Sequence, residues 1–359
     1  MGAQKSIPAG RGKVRIGVNF IEKLCCSHML PPFSAHVSPF SLISGSLCMK
    51  HPNLFGRREM LDIGWHKGAH DSNLMIAYRK TRPQHLGQRS LTLQHSVSPE
   101  VGIHGIPMKN FSHSASGDVN LSQLSIGLDM NEPSTSNWNN TTSISFKHIH
   151  FTNNGGRSIS RDLDGFLVTR SGYSSDNMIT VKQESRFEEA KDDRFSHFSL
   201  QMEQGVAFLS NTTFNRFKFV VSKGVKLGPV FFSTWLTGGS IVGAISPYQA
   251  FAIGGPSSVR GYGEGSVGSG QSCLVSKSEL TIPLKNTLEG VVFLDCGSDL
   301  GTSHRVPGNP ALRKGKPGSG YGIGYGVRFK SQLAHVQVEY AINAFQQRTI
   351  YFGIRNPVL

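Results

Sequence analysis

Tyr321-Gly322-Ile323-Gly324-Tyr325-Gly326-Val327-Arg328-Phe329-Lys330 reads as one strand with two unlike faces. Successive side chains of a strand point to opposite sides, so Tyr, Ile, Tyr, Val and Phe share one face. Gly, Gly, Gly, Arg and Lys share the other. An apolar, aromatic face backed by glycine and charge is what a strand between lipid and a wet interior requires. A soluble sandwich also alternates, so periodicity by itself leaves both readings open.

The pattern repeats downstream. Val336, Val338, Tyr340 and Ile342 alternate with His335, Gln337, Glu339 and Ala341, and Ile350, Phe352 and Ile354 with Tyr351, Gly353 and Arg355. Upstream, Val14, Ile16, Val18 and Phe20 form a candidate first strand, and 41 to 50 a second, closed by the turn residues His51 to Gly56. Further strands are expected around Leu61–Trp65, Leu74–Tyr78, Leu124–Met130, Ile144–Phe146, Phe198–Met202, Phe217–Val221 and Val230–Leu236. Polar, glycine-containing Asn153 to Asp176 reads as a long loop.

Composition supports many short strands joined by turns. Glycine occupies 41 of 359 positions, above the roughly 7% norm. No run approaches the roughly 18 apolar residues of a membrane-crossing helix, which excludes an α-helical membrane protein and leaves a barrel untested by hydropathy. The net charge of +14 is scattered, with no basic run or aromatic–basic motif, so no nucleic-acid partner is expected. The five cysteines, Cys25, Cys26, Cys48, Cys273 and Cys296, lack the paired spacing of a disulfide framework or a zinc site. No apolar signal-peptide core is present. Met1-Gly2-Ala3-Gln4-Lys5-Ser6 fits the N-myristoylation pattern, with Gly2 as the acceptor.

Catalytic and cofactor motifs read poorly. Gly263-Glu264-Gly265-Ser266-Val267-Gly268 matches G-x-G-x-x-G formally, but Ser269-Gly270-Gln271-Ser272 follows where a helix must begin. His66 with His70, or His148 with His150, lacks a third ligand; they read as isolated loop histidines, and no metal is expected. Asp162 and Asp164 sit in the polar loop with nothing to perturb them. No nucleophile elbow or metalloprotease motif occurs. Neither an enzyme nor a cofactor is expected.

Residues 251 to 299 differ. Gly254-Gly255-Pro256-Ser257-Ser258-Val259-Arg260-Gly261-Tyr262 is followed by Phe293-Leu294-Asp295-Cys296-Gly297. This pair of motifs resembles the outer-membrane-protein-85 superfamily, in which a long V-R-G-Y or V-R-G-F loop folds into a barrel and its arginine meets an F-x-D-x-G strand. Val306-Pro307-Gly308-Asn309-Pro310 and Lys314 to Gly322 resemble the plant and cyanobacterial branch, and Asn53-Leu54-Phe55-Gly56 resembles a family turn. The resemblance covers the whole chain, strongest from Phe251 onward and weakest before Val14.

The resemblance implies an all-β fold: a single antiparallel transmembrane β-barrel of sixteen strands by family analogy, with an inward-folded long loop. Residues 1–13 would be a short N-terminal segment and 14–359 the barrel. No room is left for the soluble polypeptide-transport repeats of larger relatives, and the ending Asn356-Pro357-Val358-Leu359 lacks the terminal aromatic of bacterial ones. Val259, Arg260, Gly261 and Tyr262 would anchor the loop in the lumen, with Phe293, Asp295 and Gly297 as the partner. An arginine on a tight turn suits a bidentate, charge-assisted pair with a carboxylate. The implied setting is a plastid outer envelope, and the implied role is aid to membrane-protein integration or import. The alternatives are a solute or ion pore, or an accessory barrel with little activity of its own. Implied partners are the lipid bilayer, barrel precursors or imported polypeptides, and repeat-bearing relatives.

Overall fold

The computed structural model describes residues 25–27, 45–51, 59–67, 71–80, 87–99, 119–133, 137–153, 155–162, 165–191, 193–208, 211–307, 316–331 and 335–355. Its strands begin with Cys25–Ser27 (β1), Gly45–His51 (β2), Glu59–Lys67 (β3), Ser72–Lys80 (β4), Gln88–Pro99 (β5) and Asn120–Asn131 (β6). Next come Trp138–Thr152 (β7), Ser175–Lys191 (β8), Arg194–Ala207 (β9), Thr212–Leu227 (β10), Val230–Gly243 (β11), Phe251–Ile253 (β12) and Gly268–Gly270 (β13). Ser272–Lys285 (β14), Leu288–Ser298 (β15), Ser319–Lys330 (β16), His335–Asn343 (β17) and Arg348–Arg355 (β18) complete the series. The expected strand at Val14–Phe20 and the turn at 52–56 lie outside the described residues.

Among the described residues sixteen strands form one antiparallel sheet, each paired with the next in chain order, while β12 and β13 form a separate pair inside the β11–β14 connection. The sheet curls around a lumen: His66 of β3, Trp235 of β11 and Gly353 of β18 all line one cavity. Among the described residues β1 and β18, the two ends of the ladder, do not pair with each other. Antiparallel order puts the long connections after β7, β11 and β15 on one rim. The two-residue turns 228–229 and 286–287 lie on the other.

Side-chain orientation decides between barrel and sandwich. Tyr321, Ile323, Tyr325, Val327 and Phe329 are exposed, whereas Gly322 and Gly324 are buried. Register extends this outer face across neighbours: Leu93 opposes Ile126, which opposes Phe146, which opposes Ile179, all exposed. On the far side Val292 opposes Tyr325, and Tyr325 opposes Tyr340. Water does not tolerate so continuous an apolar belt, and lipid does. Facing inward are hydroxyls and charges such as Ser90, Thr180, Ser222, Ser233 and Glu279. No helix of the described residues is long and apolar enough to cross a membrane; the strands cross it.

Two sequence expectations change. Asp176 belongs to β8 and is fully buried, so the loop ends earlier, and its middle folds back through bridges Thr152–Ser158 and Arg161–Leu167. His148 and His150 are on the outer face of β7 with their rings stacked 6.5 Å apart, and His66 is on β3; none of the three is a loop residue.

Ile126→Arg, at the middle of the outer belt, is expected to destabilise the folded barrel by about 2–4 kcal/mol in denaturant titrations in lipid. Its lumen-facing neighbour Ser125→Arg should lose far less, and equal losses would contradict the assigned faces.

Candidate functional site: an inward loop moored to the barrel wall

The connection from β11 to β14 enters the lumen. It leaves β11 through a short 3-10 turn at Pro247–Gln249, runs along β12, tips over at 254–266 and returns through β13. Val259, Arg260, Gly261 and Tyr262 at its tip are all buried.

Register assembles their receptor on β14 to β18. Lys277, Asp295, Gly322 and Asn343 form one cross-strand row, and Glu279, Phe293, Gly324 and Ala341 the next. A third row contains Gly326, Glu339 and Tyr351. Because side chains in one row parity share a face, all of these point inward together.

Arg260 binds this wall through every part of its guanidinium. Nε donates to Asp295 Oδ2 at 2.6 Å and Nη2 to Asp295 Oδ1 at 2.9 Å, while the Arg260 backbone N–H adds a third bond to Oδ2 at 3.1 Å. Nη1 reaches Glu339 at 3.1 Å and Glu279 at 3.4 Å. The guanidinium carbon lies 3.4 Å from the Phe293 ring centroid, a cation–π contact. Arg328 in turn bridges Glu279 and Glu339. Burial draws the guanidinium pKa down, but the hydrogen bonds and charge of Asp295 outweigh it and hold it above its ordinary value.

The wall is electrostatically incomplete without the loop. Asp295 has no exposed surface, and Glu279 and Glu339 are nearly as buried. A buried charge that loses its partner is strongly destabilising. Three carboxylates thus face two wall cations, Arg328 and Lys277, and Arg260 brings the third. Lys277 also grips the loop, donating to the Pro256 carbonyl at 3.1 Å.

The turn after Arg260 needs glycine. Gly261 has φ +93°, a left-handed conformation, and its N–H donates to the Tyr351 hydroxyl at 2.8 Å. The Tyr351 hydroxyl in turn donates to the Tyr262 carbonyl at 3.3 Å, and Asn343 donates to the Gly261 carbonyl at 2.9 Å. Glycines of the wall make the approach feasible. A Cβ on Gly322 would lie 1.8 Å from the Arg260 carbonyl oxygen, and one on Gly297 2.7 Å from Val259. The glycine face of β16, which alternation reads as wet, is here a dry seat for the loop.

A second mooring, which sequence reasoning missed, holds the loop's stem on the opposite wall. Asp176 of β8 accepts from Ser246 Oγ at 3.1 Å and Tyr248 OH at 3.2 Å. Arg216 of β10 donates to the Gln249 carbonyl and lies 5.0 Å over the Phe251 ring. Burial, then the Asp176 charge, pushes the Tyr248 hydroxyl well above its ordinary range, so it remains a donor. The sequence signal was slight: a lone Asp at a loop edge and a lone Arg in an aromatic strand. Ile245 and Ala250 pack with Phe151, Met178 and Phe214 beneath these bonds.

Gly2 lies outside the described residues. His148 Nδ1 pairs with Asn177 Oδ1 at 2.6 Å, and no group of His, Cys, Asp or Glu among the described residues is arranged for a metal ion.

Gly322→Ala is expected to unseat the tip while leaving the ladder intact. Its readout is new protease cleavage near residue 260 with unchanged heat-modifiable migration on gels. Asp176→Ala should lower stability by about 1–3 kcal/mol through its orphaned hydroxyl donors, read in thermal melts, without exposing the tip.

The chain matches the family model of the Omp85 superfamily domain over residues 53–355. It is similar to outer envelope protein 39, chloroplastic, of Arabidopsis thaliana, at 60% identity over 99% of each chain. It is also similar to outer envelope protein 36, chloroplastic, of the same plant, at 48% identity over 72% of this chain and 93% of that one. Among solved structures, BamA from Haemophilus ducreyi lacking POTRA domains 1-3 matches in fold with a TM-score of 0.70. That match is at 11% identity and covers 94% of this chain and 70% of that one. The inward loop, its glycine seat and these matches lead to one assignment: the chain belongs to the Omp85 superfamily and is a β-barrel protein of the chloroplast outer envelope.

Proposed function

We propose that this barrel aids the integration of membrane proteins into the outer envelope, or their import across it, with the moored loop setting the state of the last strands. The observation that carries the reading is Tyr351. It sits on β18, the final strand of the ladder, and its hydroxyl bonds both Gly261 and Tyr262 of the loop tip. The loop's position is thereby tied to the strand at the end of the sheet. An edge strand presents unpaired N–H and C=O groups, a template on which an incoming strand can pair. Members of this family are transport or channel proteins. In this proposal Arg260 is the lumen-loop anchor, Asp295 its partner, and the polypeptide being inserted or imported the substrate.

Charge exchange tests the anchor. Arg260→Glu adds a fourth carboxylate to a buried cluster, and a loss of about 3–5 kcal/mol is expected from breaking such a pair. Assembly into the envelope and crosslinking to nascent barrel proteins in intact plastids should both fall, and Asp295→Arg in the same chain should restore part of each. If Arg260→Glu leaves both unchanged, the loop is not an anchor that function depends on. Bilayer conductance that rises with no change in precursor crosslinking would favour a pore.

A further inference from the structure

The outer belt is not of one height. On β16 five apolar side chains, Tyr321 to Phe329, follow one another along the outward face. On β7 the outward run between Thr142 and His148 holds only Ile144 and Phe146, and on β8 the run between Gln183 and Asn177 holds only Val181 and Ile179. Register joins the polar ends of these runs into a band. His148 opposes Asn177, His150 opposes Ser175 on one side and Ser122 on the other, and His95 of β5 opposes Leu124. The band faces lipid at the ends of β7 and β8 from which the long connection 153–174 springs, in the middle of the ladder and far from its two ends.

This band is ordered and chemically one-sided. Asn177 Oδ1 holds the His148 ring through Nδ1 at 2.6 Å, Ser122 Oγ holds His95 through Nε2 at 3.3 Å, and the His148 and His150 rings stack. Imidazole, hydroxyl and amide groups can all donate hydrogen bonds, and no Asp or Glu is among the described residues of this outward patch. Phe151 N–H bonds the Ser174 carbonyl and extends the ladder one step, so Tyr173 continues the outward side of β8, at 61% exposure. The connection itself exposes Arg157, Arg161 and Arg170, with Asp162 as its one described carboxylate. Asp162 is engaged by its own segment, accepting from the Phe166 N–H at 2.9 Å. An exposed tyrosine beneath a basic connection is the chemistry of the lipid headgroup level.

We infer that this patch is a binding site for an anionic phospholipid, its phosphate held between His148, His150 and the arginines of the connection, its acyl chains on Leu124, Phe146 and Ile179. Charge and position both select that occupant. Polar donors facing a bilayer are costly unless something accepts from them. A phosphate brings acceptor oxygens and the negative charge that arginine pairs with. A soluble phosphate would leave the apolar residues beside the band bare, whereas the chains of a lipid cover them. A zwitterionic lipid offers the same chains but sets a positive headgroup against the arginines. The site lies outside the lumen and does not depend on what the barrel handles.

The test uses the full chain in detergent, titrated with phosphatidylglycerol and with phosphatidylcholine of the same acyl chains, and reads the lipid retained by native mass spectrometry. Phosphatidylglycerol should be held about tenfold more tightly, roughly what one charge-assisted hydrogen bond supplies. Two sets of substitutions should each abolish the preference: Arg157→Gln, Arg161→Gln and Arg170→Gln together, and separately His148→Gln with His150→Gln. Heat-modifiable migration on gels checks that both remain folded. Arg89→Gln removes an exposed cation at the opposite end of β5 and should leave the preference intact. Equal retention of the two lipids by the unaltered chain overturns the site. So does a preference that survives either set, or one that falls equally with Arg89→Gln. Glycerol 3-phosphate that competes as well as the whole lipid also overturns it, because the acyl chains would then contribute nothing.

Discussion

The pairing of Arg260 with Asp295 is the constraint around which the barrel's second half is organised. A carboxylate with no exposed surface cannot stand alone in a membrane protein's interior. The requirement spreads outward from it. Asp295 needs the guanidinium, the guanidinium needs a loop long enough to bring it in, and that loop needs a wall without side chains where its backbone lands. Gly322 and Gly297 answer the last need, and beside the pair Arg328 and Lys277 balance Glu279 and Glu339. Four strands and one loop thus share one electrostatic unit.

Two moorings of different kinds divide the work of placing the loop. The stem is fixed by hydroxyls on Asp176, by Arg216 on a backbone carbonyl, and by an apolar cluster that includes Phe151 and Ile245. The tip is fixed by charge. Between them the loop crosses the lumen from the wall of β8–β11 to that of β14–β18. The outer belt contributes nothing to this placement; it sets only which way each strand faces, because lipid accepts Ile, Tyr and Phe where water does not. Lipid outside and a charged cluster inside therefore specify the same strands through alternate residues.

The match to outer envelope protein 39 extends over nearly the whole chain, whereas the likeness to BamA is one of fold at 11% identity. A backbone can keep its course at so low an identity because barrel strands ask only for alternation. A buried ion pair asks for particular residues at particular places.

Much of this was legible in the amino-acid sequence. Alternation from Tyr321 to Ile354 set strand directions and faces, and composition excluded membrane helices. Val259 to Tyr262 with Phe293, Asp295 and Gly297, once seen to resemble a known pair of motifs, pointed to the tip. Those signals are local, being periods of two and short motifs. Whether the aromatic face meets lipid or a core was undecided until the sheet was seen to curl around a lumen, since both arrangements give one period. Glycine on β16 looked like a wet surface until a loop from sixty residues upstream was seated on it. Asp176, Arg216 and Tyr248 carried no motif, and Glu279, Glu339 and Arg328 lie on three separate strands. Their meeting is a product of register, and register is settled by pairing across the whole sheet rather than by any one segment.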